Sequence, residues 1–138
     1  MISYSTKEII NWLNPWPIDL KNRRHKRWQL RIESLDEAGD YYRWFAKGQE
    51  KITIHDLAIR LKRAIDKELP DPTGGRGHYI EMLAKYHIPA LQNLTIVVDR
   101  KYGFWRVIDG NHHLIACFLA RMQKRPLPIK SVGVVREV

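Results

Sequence analysis

Cysteine is almost absent from this chain. Cys117 is the only one in 138 residues, which excludes an internal disulfide framework and a cysteine-based zinc site. A reducing, cytoplasmic setting is the expectation. Long apolar runs are absent as well. No stretch reaches the ~18 residues needed to span a bilayer, so no membrane partner is expected. Met1 to Glu8 lacks the basic and then apolar layout of a signal peptide. Gly74-Gly75-Arg76-Gly77 lacks the Gly-Lys-Ser/Thr ending of a P-loop. Acidic residues are scarce beside basic ones, 15 against 24, which leaves a net charge of +9. Such a chain attracts polyanions, and nucleic acid is the commonest one in cytosol. A soluble basic protein without a polyanion partner is the alternative.

What remains is ordinary globular material, 44% hydrophobic and 28% charged. The length fits one domain over residues 1–138, with 1–27 as a helical and basic N-terminal extension. No internal repeat or interdomain linker is present, and nothing in the sequence sets the oligomeric state. Ser5 and Glu8 have capping-box spacing before a short helix over 5–13, which Asn14-Pro15-Trp16-Pro17 ends. Lys21, Arg23, Arg24, Lys26 and Arg27 then form a basic run flanked by Trp16 and Trp28. Cations neutralise phosphates and indoles stack on bases, so the run is a candidate nucleic-acid surface. A solvated basic loop beside two core tryptophans is the alternative.

Trp28 to Glu33 alternates apolar and polar residues, as a half-buried strand does. Tyr41 to Phe45 reads as an aromatic part of the core. A strong amphipathic helix starts at Thr53, and Pro70 to Gly77 follows as a mobile loop with a ligand-binding lid as its second reading. A helix over 78–86, a strand over 94–98, a turn at 99–103 and a strand over 104–108 come next. Asp109-Gly110-Asn111 precedes a helix from about His112 to Gln123, and a last strand covers 129–135. The fold class is therefore α/β (α+β), a small mixed sheet flanked by helices. Leu30, Ile96, Val98, Val107, Ile108, Ile115, Leu119 and Ile129 are the expected core.

The loop Asp109-Gly110-Asn111-His112-His113 carries the chemistry. A helix N-terminus leaves its first N–H groups unpaired and carries about half a positive charge. Gly110 permits a tight turn, Asn111 is a good N-cap, and two imidazoles follow. Such a loop suits a phosphate, with Gly110, Asn111, His112 and His113 as the binding residues. An ordinary capped turn is the competing reading. Adjacent histidines on a helix diverge, so they are poor metal chelators. A magnesium ion brought by a nucleotide is the more plausible metal, with Asp109 as its nearest carboxylate.

Val107 to Ala116, inside the order helix, strand, hairpin, strand, loop, helix, strand over residues 80–135, resembles the ParB/sulfiredoxin superfamily. Its hallmark is a hydrophobic strand running into Asp-Gly-x-His-Arg and an alanine-rich helix. The resemblance implies a ParB/sulfiredoxin-like fold and a loop that binds nucleotide phosphates. The implied cofactor is a nucleotide, ATP or CTP, with magnesium. Related small-molecule kinases pair the loop with an upstream acidic base, for which Glu33, Asp36 and Glu37 are available. His112, Asp109 and Glu37 are the catalytic candidates. Two departures stand out. The reactive cysteine of sulfiredoxin-like members is replaced by Asn111, and the usual Arg after the motif His is replaced by His113. Arg76, Arg100 and Arg106 are candidate substitutes for that cation. Three readings follow: a nucleotide-dependent hydrolase or phosphotransferase, a nucleic-acid-binding module with or without ParB-like nuclease activity, and a small interaction or inhibitor protein of a nucleic-acid enzyme.

Overall fold

Apolar residues two apart along the chain become strands, and those three or four apart become the helices that cover them. The computed structural model describes residues 3–12, 23, 25–126 and 129–138. The fold is α+β. Its strands are β1 (Ser3–Ser5), β2 (Arg27–Ser34), β3 (Thr95–Lys101), β4 (Phe104–Asp109) and β5 (Ser131–Glu137). They form one mixed sheet in the order β1-β2-β5-β3-β4. Only β3 and β5 run parallel; the other neighbours are antiparallel. The helices are α1 (Thr6–Trp12), α2 (Leu35–Ala38), α3 (Ile54–Lys67), α4 (Gly77–Tyr86), α5 (Ile88–Gln92) and α6 (Asn111–Met122).

Local signals set the helix starts. The Ser5 Oγ accepts from the Glu8 N–H at 3.2 Å while the Glu8 carboxylate accepts from the Ser5 N–H at 3.0 Å, a complete capping box. The Ser34 and Thr53 hydroxyls accept from the N–H groups of Glu37 and Asp56 in the same way. In α3, Ile54, Leu57, Ala58, Leu61 and Ala64 form the buried stripe. Helix α6 differs: every residue from Leu114 to Ala120 is buried. A helix that is apolar all round belongs inside a core. Helices α3 and α4 pack on it, and its core cluster includes Ile96, Val98, Val107, Val132 and Val134 of the sheet.

The opposite sheet face holds a smaller cluster of Ile9, Trp28, Val97 and Val135, with Tyr4 and Ile108 packed against it. The indole of Trp28 donates to the Thr6 Oγ at 3.0 Å, and that hydroxyl donates to the Arg23 carbonyl at 2.6 Å. Beside this cluster Asp99 is buried between two guanidinium groups. Arg106 donates to it at 2.9 and 3.2 Å, and Arg23 at 2.7 Å. The remaining Arg106 donor is bonded to the Phe45 carbonyl.

Several expectations change. Strand β1 is three residues long, too short for a periodic signal. Helix α5 lies between the helix expected over 78–86 and the strand expected over 94–98. Leu30 is 38% exposed and Ile32 72% exposed, because Trp28 is the only apolar side chain of β2 that the α1 cluster covers. Ile108 is half-buried. Within Pro70 to Gly77 a hydrogen-bond cluster forms on the Asp71 carboxylate. Asp71 accepts from the Thr73 N–H at 2.8 Å, the Thr73 hydroxyl at 2.6 Å and the Gly77 N–H at 2.8 Å. Partial burial would raise this carboxyl, but the bonds from Thr73 and Gly77 outweigh it and hold the group below its ordinary value. Trp16, Lys21 and Arg24 lie outside the described residues.

Leu119 is fully buried, so Leu119→Ala should cost about 2–5 kcal/mol in urea denaturation. Ile32→Ala should stay within about 0.5 kcal/mol.

Candidate functional site

Strand β4 ends at Asp109, and the chain must turn at once into the buried helix α6. Gly110 makes that turn with φ of 93°, in the left-handed region. A Cβ there would lie 2.9 Å from the Ile96 Cγ2, so the turn also needs the missing side chain. Gly110 is the N-cap, and Asn111, expected there, is the first helical residue. Its amide does other work. Asn111 Nδ2 donates to the Val107 carbonyl at 2.9 Å, and Oδ1 accepts from the Trp44 N–H at 3.1 Å. One side chain thereby joins strand end, helix start and the segment that carries Arg43 and Trp44.

The first internal bond of α6 runs from the Leu114 N–H to the Gly110 carbonyl at 2.9 Å. The N–H groups of residues 111–113 have no carbonyl one turn earlier to bond. A cavity of about 240 Å³ opens beside them. Leu57, Ile80 and Ile115 supply its apolar wall, and Arg43, Trp44, Thr73, Asn111 and His112 its polar lining. Arg43 Nε is buried without a hydrogen-bond partner. A buried donor left unpaired is costly and marks a place where a ligand acceptor would be favoured. Trp44 is 47% exposed, with the Arg106 guanidinium over its ring at 5.6 Å from the centroid.

His112 is half-buried and meets the Tyr79 ring edge-on at 5.6 Å between centroids. Burial first, then the Arg76 and His113 charges, push its pKa down. His112 is therefore a neutral imidazole near neutral pH. His113 is also lowered, by burial and then by His87 at the junction of α4 and α5. The two rings thus have different surroundings, as adjacent helical positions require. His113 does not line the cavity.

The other candidates disperse. Asp109 does not line the cavity either, and burial raises its carboxyl above the ordinary value despite a bond from the Gly110 N–H. Glu37 closes the cap of α2 with Ser34, whose Oγ donates to it at 2.9 Å. It lines a separate cleft with Glu33 and Asp40. Of the substitutes for the missing arginine, Arg76 reaches His112 by its charge. Arg106 is buried with each of its three guanidinium nitrogens bonded, and Arg100 lines a different surface with Trp105. In the basic run, Arg23 is paired with Asp99, Lys26 with Glu137 at 2.8 Å, and Arg27 is bonded to Ser3. Cys117 is fully buried and burial pushes its thiol up to about 12, so it is inert. Among the described residues no group of three or more His, Cys, Asp or Glu is arranged to hold a metal. No helix among them is long and apolar enough to cross a membrane.

Arg43, Trp44 and Thr73 were not foreseen. A lone cation inside the aromatic run Tyr41 to Phe45 was the available signal for Arg43. Comparison with family models, curated proteins and solved structures finds no match.

Asn111→Ala removes both amide bonds and should cost about 1–3 kcal/mol of stability in denaturant titration. The lowered histidines set an acid limb. Unfolded imidazoles take protons near pH ~6.5 while the folded ones resist, so stability falls as pH drops below that value. Replacing both His112 and His113 with Gln should flatten the fall in Tm between about pH 7 and 5.

Proposed function

We propose that this chain binds the phosphate end of a nucleotide at the start of α6 and transfers or hydrolyses its terminal phosphoryl group. The observation that carries the reading is a cavity lined by Arg43, whose buried Nε has no hydrogen-bond partner, beside the unpaired N–H groups at the start of α6. An anion there gains the helix field and a guanidinium donor together. The partly exposed Trp44 and the wall of Leu57, Ile80 and Ile115 suit a base or another flat apolar group. The resemblance of residues 107–116 to the ParB/sulfiredoxin loop points the same way.

The chemistry follows from His112. As a neutral imidazole it accepts a proton from an attacking water. The water oxygen bonds to the terminal phosphorus, and the bridging P–O bond breaks. The departing phosphate takes the bonding electron pair and then the proton. Arg76, whose charge opposes imidazolium, favours that proton's release. Transfer to a substrate hydroxyl follows the same course with an alcohol in place of water. Magnesium bound to the nucleotide would neutralise phosphate charge. Asp109 is one carboxylate, raised by burial and outside the cavity lining, so it does not fit a protein-held magnesium site.

Isothermal titration with ATP and with CTP, each with magnesium, tests the reading. One of them should bind saturably. Arg43→Gln should weaken binding about tenfold or more, the loss of a charge-assisted bond of about 1.5–3 kcal/mol. His112→Ala should abolish turnover and keep the fold, while Cys117→Ser should leave turnover nearly unchanged. Absence of binding by any common nucleotide would refute the proposal.

A further inference from the structure

The helices cover only part of the sheet face on which they sit. Val107 of β4, Val98 of β3 and Val134 of β5 lie beneath them in the main core. Side chains two residues further along a strand share the same face. Those positions are Trp105, Arg100 and Arg136. On β2, Arg31 pairs in register with Val134 and so joins this face. Four neighbouring strands thus present three arginines and a tryptophan to an open cavity of about 470 Å³, with Lys26 and Glu137 also in its lining.

The cations of this surface are largely unneutralised. Glu137 is held by Lys26 at 2.8 Å and by the Arg100 N–H at 3.3 Å. The nearest carboxylate to Arg31 is Glu33 at 3.9 Å. Among the described residues neither Arg100 nor Arg136 pairs with a carboxylate side chain. Both turn instead to Trp105, Arg136 at 3.8 Å from the ring centroid and Arg100 at 5.9 Å. Four cationic side chains face one carboxylate, around a flat stack of guanidinium on indole.

We infer that this sheet face is a binding site for single-stranded nucleic acid, separate from the α6 cavity. The charge complements a phosphate chain, and the guanidinium–indole stack is a platform for an unpaired base. Strand spacing makes the surface about 14 Å wide across four strands, a scale on which a sheet of this size holds about two or three bases. A duplex hides its base faces, so the stacking half of the surface would go unused. The acidic cleft of Glu33, Glu37 and Asp40 shares Trp105 and Arg136 with this surface. It repels phosphates and confines the strand to the basic side.

Fluorescence anisotropy of a labelled twelve-residue oligo-dT, titrated at several salt concentrations, tests the inference. Wild-type protein should bind it more tightly than a duplex of equal length. The double variant Arg100→Gln/Arg136→Gln should bind at least tenfold more weakly, with a salt slope shallower by about 1.4 for two lost phosphate contacts. Trp105→Leu should weaken binding with the slope unchanged. Circular dichroism checks that the variants fold. Photo-crosslinking of thiouridine-containing RNA to wild-type protein, read by mass spectrometry, should mark the peptides holding Arg100, Trp105 and Arg136. Absence of oligo-dT binding, an unchanged slope in the double variant, or crosslinks elsewhere would overturn the inference. So would binding to phosphatidylserine vesicles but not to oligo-dT. His112→Ala should keep full oligo-dT affinity, so failure at the α6 cavity and failure here are read separately.

Discussion

The structure depends on the burial of α6 on all sides. Seven consecutive residues, Leu114 to Ala120, leave no polar face to meet water. The helix therefore has to lie between the sheet and helices α3 and α4. A buried helix still has unpaired donors at its start, and they need a partner or an opening to solvent. Gly110 turns the chain from the sheet edge without a side chain, and Asn111 ties that turn to the Arg43–Trp44 segment. The cavity at the start of α6 follows from this packing.

Charge is divided by the same geometry. Two cations beside the smaller face are neutralised inside the molecule: Arg23 and Arg106 hold Asp99. Removing Asp99 would strand two guanidinium groups, one of them buried, a larger loss than any exposed pair represents. Arg100 and Arg136 lack such partners and stand at an open surface instead, while Arg43 lines the α6 cavity. Net charge alone does not distinguish the two groups. The fold separates cations that hold it together from cations free to meet a ligand.

Much of this was legible in the sequence, and the gaps have physical causes. The Ser5–Glu8 capping box, the α3 stripe and the Gly110 turn are local, so sequence spacing exposes them. The class of the fold followed from element order. Burial in β2 was misjudged because alternation identifies two faces but not how far a neighbour covers either; Leu30 and Ile32 lie beyond that cover. Glu37 and His112 fall in different clefts, and no spacing rule places residues 75 positions apart. Arg43 and Trp44 join the cavity through one amide, Asn111, whose capping propensity concealed its long-range role. In Pro70 to Gly77 the Asp71 carboxylate gathers Thr73 and Gly77, a local contact that the glycine and proline content does not announce.

Strand β5 is the last in chain order but central in the sheet, between β2 and β3. Its partner residues in β2 lie about a hundred positions earlier, as in Trp28 with Glu137. Until β5 is in place, β1–β2 and β3–β4 are two separate hairpin-like pairs, each with an unsatisfied inner edge. Closing so long a loop costs chain entropy before any contact compensates for it, which makes completion of the sheet slow relative to helix formation. On the ribosome the consequence is sharper. The nascent chain exposes two open edges until the final strand emerges, and during that interval intermolecular strand pairing competes with folding.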